Sequence, residues 1–316
     1  MKYLIVGAGA VGCLLAAALT EAGADASLLT RGPKTTHIAE NGIVVKLPDG
    51  SSKRVDVRVT EEGTYGDRPE VVVVCVKHYG LASIYPLLER ISSDETVVLS
   101  ILNALNIADQ IDQELARPVR AVQGLAYVGA RVESSGVVVR ESEFFNIVVG
   151  LRPDEDAPPC LERVLEDLRL GGVDASLTDD ILQASLIKFV RVSTLSGAEV
   201  MFDTDLGGLR ENPEAWAFYE SLGREIEQIA EAAGTPFAGD PVGQDLQMMW
   251  NAPSAYRTSL VHDHVNGRET EAVAQFVDVY ELGRAHGLAM TAYEAVCRKM
   301  GYSPSRHGVE QPQVRA

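Results

Sequence analysis

Gly7, Gly9 and Gly12 stand in the spacing G-x-G-x-x-G, directly after an apolar run that begins at Tyr3. Each glycine has its own task if the chain binds a dinucleotide. The first allows a sharp turn out of a strand. The second has no Cβ, so a pyrophosphate can approach the backbone. The third lets the next helix lie close to the sheet. Ala10 and Val11, between the glycines, would open that helix, whose free N–H groups and positive dipole end suit phosphate oxygens. The motif alone is weak. A glycine-rich turn without ligand competes with it. So does a secretory signal peptide, because Lys2, the apolar run and Ala24-Asp25-Ala26 imitate one. Three glycines would weaken such a leader, and a second strand-like stretch follows at 26–29. The context favours a dinucleotide.

The loop after that second stretch should choose the cofactor. An acidic side chain there would hold the ribose 2′-hydroxyl of NAD, whereas an arginine would hold the 2′-phosphate of NADP. Between Asp25 and Glu40 the chain has no acidic residue, but it has Arg31 and Lys34. The planar guanidinium fork suits phosphate, so Arg31 points to NADP. The bland alternative is a solvated surface arginine. Lys77, just beyond the apolar run 71–76, and Asn103, beyond 96–99, fall where parallel strands meet a ligand. A surface lysine and a turn asparagine are the competing readings.

In the second half, Lys188 interrupts a nearly apolar helical stretch and Arg191 follows at i+3 on the same face. A lysine among apolar neighbours is desolvated, which lowers its pKa and fits it for proton transfer; a lysine whose stem is buried and whose head reaches water is equally compatible. Farther on, Ser259, Asp263, Thr270 and Glu271 form a polar series that ends at a helix entrance. His262 and His264 point apart at i, i+2 on a helix and lack a third partner, so no metal site is expected.

The elements that must position these residues read as α/β. A strand–turn–helix opens the chain, then strands are expected at 26–29, at 71–76 and at 96–99, with a helix over 107–115. A hairpin is expected from 43–47 and 55–59 about the turn Pro48-Asp49-Gly50-Ser51. Stretches 119–122, 137–140 and 146–149 should complete the sheet region, with a last short strand at 174–177. Beyond Asp179 the period is helical, including a helix over 275–286. The expected division is a nucleotide-binding domain over 1–178 and a helical domain over 179–316. The tail after Pro304 is expected to be loosely ordered.

Composition narrows the partners. The 316 residues carry a formal charge of −17, which argues against nucleic acid or an anionic membrane surface. No apolar stretch free of glycine and charge is long enough for a membrane span. Cys13, Cys75, Cys160 and Cys297 are scattered, which fits a reducing cytoplasmic setting better than a disulfide framework.

Taken in order, Gly7-x-Gly9-x-x-Gly12, Arg31, Val76-Lys77, Leu102-Asn103, Lys188 and Ser259…Asp263…Thr270-Glu271 resemble the ketopantoate reductases (2-dehydropantoate 2-reductases) of pantothenate biosynthesis. The resemblance implies an N-terminal Rossmann domain, a helical C-terminal domain and NADPH as cofactor. It implies that Lys188 is the general acid and that Glu271 holds the nicotinamide ribose beside it. Lys77 and Asn103 would border nicotinamide and substrate, and Ser259 would bind substrate. The chain departs from the family pattern at Val192 and Ser196, where asparagines are usual, and at Ala104 and Arg140. Val192 cannot hydrogen-bond a substrate hydroxyl. By that position alone, a 2-oxo acid without a distal hydroxyl is the better substrate. Three readings follow: reduction of ketopantoate, reduction of another 2-oxo acid or imine with Arg191 clamping a carboxylate, and a non-catalytic NADP-binding sensor. A homodimer is compatible with all three.

Overall fold

The computed structural model describes residues 1–116, 119–152 and 155–302; the tail after Pro304 lies outside them. The chain divides into two compact units. One comprises Met1–Leu102 with Asn106–Ile181, and the other Asn103–Leu105 with the chain from Leu182.

The first unit is α/β. Its elements are β1 (Lys2–Val6), α1 (Ala10–Glu21), β2 (Asp25–Leu29), α2 (Pro33–Asn41), β3 (Ile43–Lys46), β4 (Ser52–Val55), β5 (Arg58–Thr60) and β6 (Val71–Val74). A 3-10 stretch (His78–Ile84) and α3 (Tyr85–Ile91) lead to β7 (Val97–Ser100), α4 (Ile107–Glu114), β8 (Arg120–Tyr127), β9 (Ala130–Val132), β10 (Val138–Arg140), β11 (Asn146–Gly150), α5 (Leu161–Leu170) and β12 (Asp174–Thr178). The main sheet runs β12-β11-β8-β7-β6-β1-β2-β5. All its pairs are parallel except β8 with β11. The valines of β6 are all buried, as a strand covered on both faces requires. The chain builds β1, β2 and β5 outward to one side, then returns to place β6 on the other side of β1. That reversal opens a crevice outside the carboxyl ends of β1 and β6, the general ligand position of such sheets.

A second sheet, β4-β3-β10-β9, packs on the same core. Helix α1 is apolar nearly all round because the main sheet, α5 and this small sheet all contact it. The sheet assignments differ from the sequence expectation in two places. The hairpin partner of β3 ends at Val55, and Arg58–Thr60 joins β2 instead. Residues 138–140 pair with β3 and β9, not with the main sheet. Alternating apolar residues mark a strand but not its neighbour.

The second unit is helical: α6 (Ile181–Phe202), α7 (Leu206–Glu211), α8 (Pro213–Ala232), α9 (Pro241–Asn251), α10 (Ser259–Val265), α11 (Asp278–Ala285) and α12 (Thr291–Lys299). Asp205, Asn212, Asp240 and Thr258 cap α7, α8, α9 and α10 through their side chains, which fixes where these helices start. Phe189, Leu195, Tyr219, Leu222, Ile226 and Phe276 are part of the core. The helix expected over 275–286 is not uniform. Val273–Val277 is a π turn, and α11 begins only at Asp278. Among the described residues no helix is long and apolar enough to cross a membrane.

Candidate functional site

In the first unit, the glycine loop has the shape its spacing implies. Gly7 adopts φ +112°, and a Cβ there would come within 2.8 Å of the Cys75 carbonyl group. A Cβ on Gly12 would collide with the Gly7 carbonyl, so only glycine lets α1 come this close to β1. A Cβ on Gly9 would meet nothing within 4 Å. The room there fits a group such as a pyrophosphate, and it lies at the helix start: Gly9 is the N-cap, Ala10 and Val11 are the first helical residues, and no acidic side chain occupies the first turn. The loop after β6 lies alongside, since Cys75 and Val76 are the backbone neighbours of Gly7. Lys77 follows, half-buried, at the N-cap of the 3-10 stretch.

Arg31 leaves the end of β2 exposed, with no hydrogen bond or ion pair to another described residue. Lys34, one turn later, returns its Nζ to the carbonyl of Ala8 at 3.0 Å. A second cation is thereby held at the glycine loop. The stretch 30–35 has one acidic neighbour that the local sequence does not reveal. Glu61, beyond β5, accepts from the Gly32 amide at 3.1 Å and the Thr35 hydroxyl at 2.8 Å. Its carboxylate therefore braces the loop that carries Arg31.

The helical unit gathers most of the remaining candidates. Lys188 lies in the middle of α6 and is 6% exposed. Burial lowers its pKa to about 8; the carboxylate of Glu271, 5% exposed, pulls the other way. Val192 and Ser196 continue the Lys188 stripe at i+4 and i+8. The Ser196 hydroxyl donates to the Val192 carbonyl at 2.5 Å and lies 2.7 Å from the Thr258 hydroxyl. Thr258 is the N-cap of α10, and the next residue, Ser259, is exposed. Glu271 precedes the π turn, whose Gln275 carbonyl accepts from Ser193 at 2.6 Å. Asn103 belongs to this unit by its contacts and is half-buried.

Arg191 is held through one of its three nitrogens. Its Nε donates to Asp245 at 2.7 Å, and the other oxygen of Asp245 accepts from Tyr219 at 2.5 Å. The guanidinium ties α6 to α9 through a carboxylate that is 5% exposed. Sequence reasoning missed Thr258, Gln275 and Glu61. Thr258 carried a signal, a hydroxyl residue immediately before an apolar helical stretch. Gln275 carried none, because an apolar-flanked glutamine reads as an ordinary helix residue until the π turn is seen.

Both units match known families. The family model described as "Ketopantoate reductase PanE/ApbA" matches residues 3–153, and the one described as "Ketopantoate reductase PanE/ApbA C terminal" matches residues 180–301. A 2-dehydropantoate 2-reductase of Halobacterium salinarum is 26% identical over 294 residues, covering 92% of this chain and 94% of its own. The crystal structure of 2-dehydropantoate 2-reductase from Geobacter metallireducens superposes with a TM-score of 0.85 at 23% identity, covering 95% of this chain and 99% of its own. A ternary structure of D-mandelate dehydrogenase with NADH and anilino(oxo)acetate gives a TM-score of 0.82 at 18% identity, over 95% of this chain and 99% of its own.

Proposed function

The chain belongs to the ketopantoate reductase family, and on that premise we propose that it is an NADPH-dependent oxidoreductase that reduces ketopantoate to pantoate. The observation that carries the reading is Lys188, a single lysine buried at mid-helix with its pKa lowered to about 8 and one carboxylate, Glu271, acting on it. A group that must lose and regain a proton near neutral pH needs such a setting.

When bound, the dihydronicotinamide would supply the hydride to the ketone carbon. The chain's own part is to hold and to protonate. Lys188 Nζ gives a proton to the ketone oxygen as that oxygen gains negative charge, and water later returns a proton to Lys188. Glu271 keeps part of the lysine population protonated against the cost of burial. Gly7, Gly9, Gly12, Ala10 and Val11 form the cradle for the pyrophosphate. Arg31 would take the 2′-phosphate, and Lys34 stands at the same loop. Lys77, Asn103 and Ser259 are assigned to the nicotinamide and substrate by family likeness. Oxidation of NADPH on addition of ketopantoate, followed by absorbance, tests the reading; no turnover would sink it.

A second reading, reduction of a different 2-oxo acid, is favoured by Val192, which offers ketopantoate's distal hydroxyl no hydrogen bond. Arg191 spends only its Nε on Asp245 and remains the carboxylate clamp of this reading.

A further inference from the structure

Gln275 is a buried polar side chain of the helical unit with fewer partners than its carboxamide can take. It is 1% exposed. Its backbone carbonyl is satisfied by Ser193, whose hydroxyl lies 2.8 Å from that of Tyr293. Its carboxamide is satisfied only in part. Oε1 lies 3.5 Å from the Ser196 hydroxyl, a long contact. That hydroxyl has one proton to give. The Val192 carbonyl, which can only accept, takes it at 2.5 Å. With that proton so placed, Thr258 is the donor in the 2.7 Å contact between the two hydroxyls. Gln275 Oε1 is left with that one long contact, and no described residue accepts from its Nε2. A buried carboxamide with unused Nε2 donors and one long bond to Oε1 calls for an explanation, and a bound ligand group is one.

Its place says which ligand. Lys188, Val192 and Ser196 share one face of α6. Gln275 touches that face at Ser196 and follows Glu271, the carboxylate acting on Lys188, by four residues. The carboxamide thus reaches that face at Ser196, one turn beyond Val192, which presents no polar side-chain atom. An amide both donates and accepts. That complements a hydroxyl, which does both, better than a second carboxylate or an ammonium group, each of which does only one.

We propose that Gln275 is a specificity-determining residue that hydrogen-bonds the distal hydroxyl of the 2-oxo acid. The inference rests on the reductase reading and supplies the donor that position 192 lacks. It reverses the order of substrates expected from Val192 alone.

The test uses the purified full-length chain, NADPH and a matched pair of acids: ketopantoate and 3,3-dimethyl-2-oxobutanoate, which differs only in lacking the hydroxyl. The unmodified protein is expected to favour ketopantoate in kcat/KM. Gln275→Met keeps the length of the side chain and removes the amide, and should lower that preference about ten- to a hundredfold, chiefly through KM for ketopantoate. Gln275→Asn, a second variant that keeps the amide on a shorter stem, should retain part of it. An unmoved preference ratio, or an equal loss on both acids, would overturn the proposal and make Gln275 a packing residue while leaving the reductase reading intact. No turnover of either acid by the unmodified protein would overturn the reductase reading and this proposal with it.

Discussion

Glu271 is the charge that partly restores the basicity burial takes from Lys188. The pair sets a pH dependence whose sign follows from the roles. A general acid must be protonated, and Lys188 is protonated below about pH 8. For ketone reduction, kcat/KM should be flat below that point and fall about tenfold per pH unit above it. Glu271→Gln removes the stabilising charge and should move the break to lower pH. Initial rates across neutral and alkaline pH check both statements. A profile that rises through pH 8 would assign Lys188 the opposite role.

Lys188 itself can be removed. A positioned acid contributes about 10²–10⁴-fold, so Lys188→Ala should lower kcat by that order. NADPH affinity, read by fluorescence titration, should change little, because the cradle of Gly7, Gly9 and Gly12 and the Arg31 loop lie in the other unit. Lys188→Arg should not restore kcat, since arginine does not readily release its proton. Near-normal kcat in Lys188→Ala would move the acid elsewhere, with Lys77 the next candidate.

Much of this was legible in the sequence because the relevant signals are local. The strand, Gly7-x-Gly9-x-x-Gly12 and α1 lie within one short stretch, and the all-valine β6 marks itself as a buried strand. The lone Lys188 stands out in an apolar helix. What was not legible depends on partners far apart in the chain. Glu61 reaches Gly32 across 29 positions, and Asp245 claims Arg191 from 54 positions away. The π turn at Val273–Val277 leaves no readable trace, since the segment is apolar on either side of Gln275 and too short to show a shift of period. Gln275 acquires its meaning only from that turn and from the hydroxyls of Ser193 and Ser196 beside it.

Cofactor choice should follow Arg31. It is exposed and engaged by no described residue, so its fork is available to a phosphate. A charge-assisted contact of this kind is worth about 1.5–3 kcal/mol, or roughly ten- to a hundredfold. Arg31→Ala should raise KM for NADPH by that factor and leave KM for NADH nearly unchanged. Lys34→Ala should weaken both cofactors, because Lys34 is held over the Ala8 carbonyl at the glycine loop. Equal use of NADPH and NADH by the unmodified protein would contradict the assignment.

Val192 offers a gain-of-interaction test. Val192→Asn introduces an amide on the Lys188 stripe, one turn from the acid. It should raise the ratio of kcat/KM for ketopantoate over 3,3-dimethyl-2-oxobutanoate by up to about tenfold, the worth of one added neutral hydrogen bond. A lower ratio would place position 192 away from the hydroxyl.

Glu199 gives a prediction about stability rather than rate. It lies on α6, three residues beyond Ser196, and is 1% exposed. Neither carboxyl oxygen has a hydrogen-bonding partner among the described residues. Burial pushes its pKa up to about 8, against the opposing pulls of Arg257 and of the Thr258 backbone amide. The folded chain therefore binds this proton more tightly than the unfolded chain, where the pKa is near 4.5. The stabilisation is complete below about pH 4.5 and is lost as the pH rises toward 8. Glu199→Gln is neutral at every pH, so it escapes that loss. Thermal melts should show little difference between the two proteins near pH 5. Near pH 8 the variant should be more stable by about 1–3 kcal/mol, a gain of a few degrees in Tm. A variant that is less stable at pH 8 than the unmodified protein would mean that the Glu199 carboxylate is held charged, paired with Arg257, and that its burial is offset by that pair.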